Sequence, residues 1–207
     1  MYKHFFKRFL DVVLSGIGML VLSPIYLVLA LYVAIFMGFP VLFGQERIGK
    51  GEKPFKLYKF RSMTNRRDEE GNLLPESLRL TKAGIFLRNS SLDELPELWA
   101  IFVGKMSIVG PRPMPTYYSP YFKPEERKRH SVRGGLIPPD SLSGKTVTTY
   151  EEQFAYECYY ADNISLCMDI KVIFKTFKIL FMRVEGDYGT CERPHLNVER
   201  KDMVIEK

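Results

Sequence analysis

The chain has 207 residues, with 30 Lys and Arg against 24 Asp and Glu, a formal net charge of +6. That length supports one domain with its own core, or a small domain plus a membrane anchor. The basic balance suits an anionic partner: nucleic acid, acidic lipid or a phosphate substrate. The three cysteines (Cys158, Cys167, Cys191) are odd in number, and no HExxH or CxxC pattern accompanies the scattered His4, His130 and His195. Both facts argue against a disulfide framework and a zinc site. The aromatic residues are not interleaved with a basic stripe in an RNA-binding pattern, so no nucleic-acid partner is expected.

From Val12 to Gly44 no charged residue or histidine occurs. The run is too long for a signal peptide and for a helix in a soluble core, and predicts entry into a membrane. One straight helix of this length would measure about 50 Å against a hydrocarbon thickness of about 30 Å. Pro24 lacks an N–H and should bend the helix at Ser23-Pro24, where Ser23 can help satisfy a released carbonyl. Lys3, Lys7 and Arg8 precede the run, and Arg47, Lys50, Lys53, Lys56, Lys59 and Arg61 follow it. A hairpin entering and leaving by one leaflet keeps both positive flanks on the cytoplasmic side. A simple span, with Ser-Pro as a tolerated kink, satisfies only one of them. Both remain open on these grounds.

No later stretch is long enough to span a bilayer. The pattern from Lys56 to Met63 predicts a short strand with Lys59 and Arg61 on one face and Tyr58 and Phe60 on the other. Residues 65–80 read as an exposed, charged loop. A helix is predicted from about Asp93 to Val103, with Leu95, Leu98, Trp99 and Phe102 on one side. The proline-rich residues 112–124 read as an extended loop. Residues 166–183 form an amphipathic helix, with Ile170, Ile173, Phe174, Phe177 and Phe181 opposite Lys171, Lys175 and Lys178. Such a helix suits a membrane interface or packing on the core. The tail after Val184, with Gly186 and Gly189, reads as peripheral.

The sharpest chemical signal is Ser90-Ser91-Leu92-Asp93-Glu94-Leu95-Pro96. Ser91-x-x-Glu94 fits a capping box, which would make both acids ordinary helix-start residues. Against this, Pro96 would then disturb the first intrahelical bonds. A start nearer Asp93 would put that carboxylate at a helix N-terminus, which favours anions. Cations suited to phosphate surround the pair in sequence: Lys59, Arg61, Lys82, Arg88 and Arg112, the last held between Pro111 and Pro113. Each taken alone reads as a solvated surface charge. Gly144-Lys145-Thr146 resembles the end of a Walker A loop, but Pro139 stands where that loop needs glycine, so a P-loop is rejected.

Taken in order, Lys7-Arg8-x-x-Asp11, Ser23-Pro24, Gln45-Glu46-Arg47-Ile48-Gly49, Phe55 to Met63, Ser91 to Pro96 and Gly104 to Pro113 resemble the bacterial sugar transferases known as small monotopic phosphoglycosyl transferases. The likeness runs from Phe5 to about Leu180. It implies an α+β chain, mainly helical with a small β element. Residues 1–44 would form a re-entrant helix-break-helix, 45–184 a compact catalytic domain with amphipathic interfacial helices, and 185–207 a peripheral tail. The family's chemistry implies Asp93 and Glu94 as the catalytic pair, with Mg²⁺ at Asp93. Asp93 would attack a UDP-sugar, release UMP and pass the phosphosugar to undecaprenyl phosphate, at the cytoplasmic face of a bacterial inner membrane. Lys59, Arg61, Arg88, Arg112 and Lys145 would bind substrate phosphate. One stretch departs from the family: Gly134 to Lys145 carries Pro138-Pro139-Asp140 and ends in lysine where an arginine is expected, and lysine lacks that residue's planar fork. A homodimer is left open. The rival reading is a basic, non-catalytic membrane adaptor that recruits a glycan-assembly partner.

Overall fold

The computed structural model describes residues 2–185 and 194–202, without the side chains of residue 4 and residues 181–185. After a π-helical turn, α1 (Lys7–Val21) and α2 (Ser23–Met37) form a pair bent by 63° at Leu22. The bend falls where Pro24 enters the first turn of α2, and the Ser23 hydroxyl donates to the Leu20 carbonyl at 2.8 Å. No single helix among the described residues is long and apolar enough to cross a membrane.

Both outer ends of the pair are fastened to one domain. At the start of α1, Lys7 pairs with Asp169 at 2.7 Å. Arg8 donates to the carbonyls of Ile101 and Phe102 at a helix C-terminus. The buried Asp11 carboxylate accepts from Ser107 Oγ at 3.1 Å and from the Ile108 N–H at 2.9 Å. At the end of α2, Arg61 donates to the carbonyls of Met37 and Gly38. Leu29, Val33 and Met37 bury against Phe60 and Leu87, whereas Leu20, Val21, Leu27, Val28 and Ile35 remain exposed.

Beyond α2, β1 (Leu42–Ile48) and β2 (Pro54–Phe60) pair antiparallel, with Phe43 opposite Lys59 and Ile48 opposite Pro54. The predicted strand is thus present but shifted toward the N-terminus. Lys59 shares its face with the buried Phe55 and Leu57, so its stem lies over the core. The loop at 65–80 is largely exposed as expected, and carries a short helix α3 (Glu76–Arg79).

Helix α4 (Lys82–Asn89) is capped by Thr81, whose hydroxyl accepts from the Gly84 N–H. α5 (Glu97–Phe102) is shorter than predicted, because Asp93 and Glu94 belong to a separate 3-10 turn, Leu92–Glu94. Its buried residues are Glu97, Ala100 and Ile101. Trp99 and Phe102, predicted to share a packing face, stack on each other at the surface.

A second sheet pairs β3 (Met106–Val109) and β4 (Gly134–Ile137) in parallel. Between these strands the predicted extended loop is only partly extended. Thr116–Tyr121 and Pro124–Ser131 form 3-10 turns, and Met114, Tyr118 and Phe122 join a buried cluster with Ile48 and Phe154. α6 (Tyr150–Asp162) and α7 (Leu166–Glu185) complete the domain. On α7 the core takes Val172 and Ile179, while Ile170, Phe174 and Phe177 face outward. Of the apolar stripe predicted for this helix, Ile173 packs partly against the core and the other three point away from it; the side chain of Phe181 is not among those described.

The C-terminal segment corrects the expectation of a peripheral tail for residues 194–202. In α8 (Leu196–Glu199), Leu196 is fully buried in the Phe122–Phe154 cluster. Arg200 is buried between Glu126 and Glu151, at 2.7 Å from each. A charged composition hid one apolar anchor and one doubly paired arginine. Gly186 and Gly189 lie outside the described residues.

Helix α4 sits so close to the strand end that a Cβ on Gly84 would lie 1.8 Å from the Ser62 carbonyl oxygen. Gly84→Ala is expected to force the two segments apart and cost about 1–3 kcal/mol, visible as a lowered thermal midpoint of the purified protein.

Candidate active site

The two adjacent acids sit on a tight turn, held in place by a strained residue. Ser91 has φ 55° and ψ 17°, a left-handed conformation that non-glycine residues rarely adopt. It bends the chain out of α4 and into the 3-10 turn. Its side chain makes no capping hydrogen bond. The Glu94 carboxylate does not reach back to cap either: it accepts from Lys59 Nζ at 2.6 Å and from Arg112 Nη2 at 3.2 Å. The capping-box explanation of this sequence therefore fails at both of its hydrogen bonds.

Lys59 is shared, lying 3.1 Å from Glu97 Oε1 as well. Arg112 reaches Glu94 from Pro111-Arg112-Pro113, a segment whose single backbone N–H goes to the buried Glu157 at 2.8 Å. Arg47 completes the cationic side, its guanidinium oriented by Gln45 Oε1 at 2.7 Å and by the Pro113 carbonyl at 3.3 Å.

Asp93 is 8% exposed and lines a cleft of about 600 Å³ together with Arg47, Lys59, Arg79, Arg88 and Arg112. No side chain donates a hydrogen bond to its carboxylate among the described residues. Arg88, its neighbour in the cleft, is steadied by a 3.0 Å hydrogen bond from Nε to Ser62 Oγ.

The environments of the two acids push their acidities apart. Burial raises the Asp93 pKa and the Glu94 charge adds to this, while Lys59 and Arg88 pull it back only in part. Burial would also raise Glu94, but Arg112 and Lys59 outweigh it and hold that carboxyl below its ordinary value. Glu97 is raised, chiefly by burial, despite Lys59. Glu94 is thus a fixed anion neutralised by two cations. Asp93 is an anion poorly solvated and poorly hydrogen-bonded, the condition of a reactive carboxylate oxygen.

Of the residues singled out from sequence, Asp93, Glu94, Lys59, Arg88 and Arg112 come together around this cleft. Arg61 also lines it, but its guanidinium is engaged by the Met37 and Gly38 carbonyls. Lys145 stands apart. It borders a second cavity of about 370 Å³ that meets the cleft only through Glu94 and Arg112, and its ammonium pairs with Glu152. Glu97 and Arg47 were missed as site residues. Glu97 lies three residues after Glu94, a spacing that puts two side chains on one side of a helical turn. Arg47 lies in the Gln45-Glu46-Arg47 motif, and only the strand pairing shows that it faces the acids.

A neutral isostere at position 93 should stabilise the fold. A carboxyl whose pKa is raised on folding contributes stability at pH below its unfolded value and loses it as the pH rises through the folded value. Asp93→Asn is therefore expected to melt higher at neutral pH, by about 2–4 °C for a gain on the order of 1 kcal/mol. The advantage should vanish on acidification, as thermal melts across pH would show.

Known proteins are similar to this chain over most of its length. The family model for bacterial sugar transferases matches residues 2–183. The chain is 37% identical over 194 residues to the uncharacterized sugar transferase EpsL of Bacillus subtilis (strain 168), covering 94% of each. It is 36% identical to exopolysaccharide production protein PSS of Rhizobium leguminosarum bv. phaseoli, over 87% of this chain and 97% of that one. It is 35% identical to the UDP-glucose:undecaprenyl-phosphate glucose-1-phosphate transferase of Klebsiella pneumoniae, over 83% of this chain but only 39% of that longer relative.

Proposed function

The chain belongs to the bacterial sugar transferase family, and from that premise we propose that it transfers a sugar phosphate from a UDP-sugar to undecaprenyl phosphate through a covalent intermediate on Asp93. The observation that carries this reading is the contrast within one turn: Glu94 neutralised by Lys59 and Arg112, Asp93 without a side-chain hydrogen-bond donor among the described residues, in a cleft rich in arginine. The name of the Klebsiella relative supports the donor and acceptor classes.

In the first step an Asp93 oxygen attacks the β-phosphorus of the donor. The bond from that phosphorus to the bridging oxygen breaks, and UMP leaves with the bridging oxygen. In the second step an oxygen of the lipid phosphate attacks the same phosphorus and the bond to Asp93 breaks. This restores the carboxylate and yields a polyprenyl diphosphate sugar. Splitting one transfer into two lets each proceed through a smaller barrier. Arg88, Arg112 and Arg47 supply the fixed positive charge that phosphoryl transfer requires. Lys59 holds Glu94 and Glu97 in place.

Mg²⁺ fits as a companion of the donor diphosphate. Among the described residues no group of three or more His, Cys, Asp or Glu side chains is placed to hold a metal. Magnesium needs only one or two carboxylates when phosphates complete its shell, and Asp93 lines the cleft with no ion-pair partner among the described residues. Bound there, it would offset the charge of the diphosphate.

The same reading puts the α1–α2 pair into the cytoplasmic leaflet of the bacterial inner membrane as a re-entrant hairpin. The 63° bend, the fastening of both outer ends to one domain and the outward apolar residues of the pair support it. With both ends held on one side, the hairpin cannot leave a terminus across the bilayer. Phe174 and Phe177 of α7 would then lie at headgroup depth.

Asp93→Asn is expected to reduce UMP release from the cognate UDP-sugar by roughly 10³-fold or more while the protein remains folded. Wild-type release in this variant would rule out Asp93 as the nucleophile, whereas the adaptor reading predicts no UMP release even from the unaltered protein. Because Asp93 must be ionised to attack, kcat/KM should fall on the acid side at a pH above the ordinary aspartate range. Lys59→Met removes a cation that holds the Asp93 pKa down, so it should move that limb to still higher pH. Rate profiles of UMP release across pH check the direction.

A further inference from the structure

We propose that the buried ion pair Arg129–Glu157 is a positioning device for Arg112, fixing the main chain of that residue so that its guanidinium meets Glu94 and the transferring phosphate. The inference rests on the reading of the cleft given above. Arg129 and Glu157 are both essentially inaccessible to solvent and 2.5 Å apart, Nε to Oε2. They come from different elements, the 3-10 turn Pro124–Ser131 and helix α6. Each holds one half of the same peptide residue. Glu157 Oε1 accepts the Arg112 N–H at 2.8 Å, and Arg129 Nη2 donates to the Arg112 carbonyl at 2.6 Å.

The pair is itself tightly held. Gln153 Nε2 donates to Glu157 Oε1 at 3.0 Å. The Arg129 guanidinium lies over the rings of Phe154 and Phe122, at 4.9 and 5.4 Å. Burying two charges is costly and confers little stability over an apolar pair of the same shape. The arrangement does give geometry: both polar atoms of one backbone residue are gripped by charge-assisted hydrogen bonds. Pro111 and Pro113 stiffen the flanks on either side. The Arg112 side chain, by contrast, is half-exposed and is hydrogen-bonded among the described residues to Glu94 alone. Its direction is therefore set from behind.

The test is a double-mutant cycle on UMP release by the full-length protein in detergent or lipid. Arg129→Lys keeps the charge but loses the second donor to the Arg112 carbonyl. Glu157→Gln keeps an acceptor for the Arg112 N–H but loses the ion pair. Each is introduced alone and with Arg112→Ala, and kcat, KM and the thermal midpoint are measured. A misplacement on the order of 1 Å costs about 10²-fold in rate. Either variant should therefore lower kcat by about 10- to 100-fold, with KM for the UDP-sugar little changed. In the Arg112→Ala background the same substitution should change kcat by less than about twofold, because nothing remains to be positioned. Equal losses in both backgrounds, or no loss in kcat from either variant, overturn the proposal. If Arg129→Lys does not fold, Glu157→Gln alone carries the cycle. A wild-type protein that releases UMP from no UDP-sugar would instead refute the reading of the cleft itself.

Discussion

The structure turns on how two neighbouring carboxylates are treated differently. Glu94 receives Lys59 and Arg112 directly; Asp93, one residue earlier, receives no side-chain donor and is pressed into a cleft where burial disfavours its charge. That difference requires a turn which sends adjacent side chains to different surroundings. The left-handed Ser91 and the 3-10 turn after it provide this, whereas a regular helix start would have put both acids to capping work. Nearly every other feature supports the turn: Lys59 rests on the core through its stem, and Arg112 is clamped through its backbone.

The bent helix pair is fastened by polar contacts at its outer ends and by apolar contacts along α2. Arg8 and Arg61 each satisfy carbonyls at the end of a helix, one on α5 and one on α2. Asp11 supplies the acceptor for the Ser107 hydroxyl and the Ile108 N–H of strand β3. These contacts register the pair against the turn that bears Asp93, and Tyr26 of α2 even donates to the Leu95 carbonyl, two residues past that aspartate. The placement of the helix pair and the location of the carboxylate are therefore mechanically linked. That linkage suits a reaction whose acceptor phosphate lies at a lipid surface.

Much of this was legible in the residues. The uncharged run and its Ser-Pro break foretold the bent pair, and the acids and cations at 59, 88, 93, 94 and 112 foretold the cleft. The misses share a cause: each depends on a partner distant in sequence. Trp99 and Phe102 carry helical spacing, yet Leu98 and Phe102 lie beside Gly18 and Gly16 of α1 while the core takes Glu97, Ala100 and Ile101. Leu196 and Arg200 lie in a charged tail, and only the Phe154 cluster and the Glu126–Glu151 pair give them a place. Arg61 looked like a phosphate ligand from its strand neighbour Lys59, but the end of α2 uses its guanidinium. Strand β4 and its parallel partner β3 left no periodic signal, because Gly135 is required by close backbone approach to Gly110 and Gly134 by close approach to Pro113.

The central claim is that Asp93 carries the phosphosugar. The most direct measurement is intact-protein and peptide mass spectrometry of the wild type incubated with a panel of UDP-sugars and Mg²⁺ in the absence of lipid acceptor. The account predicts a mass gain of one phosphosugar that maps to the peptide containing Asp93 and disappears when undecaprenyl phosphate is added. UMP released only when the acceptor is present, with no adduct at any time, would contradict it, as would an adduct mapped to another residue.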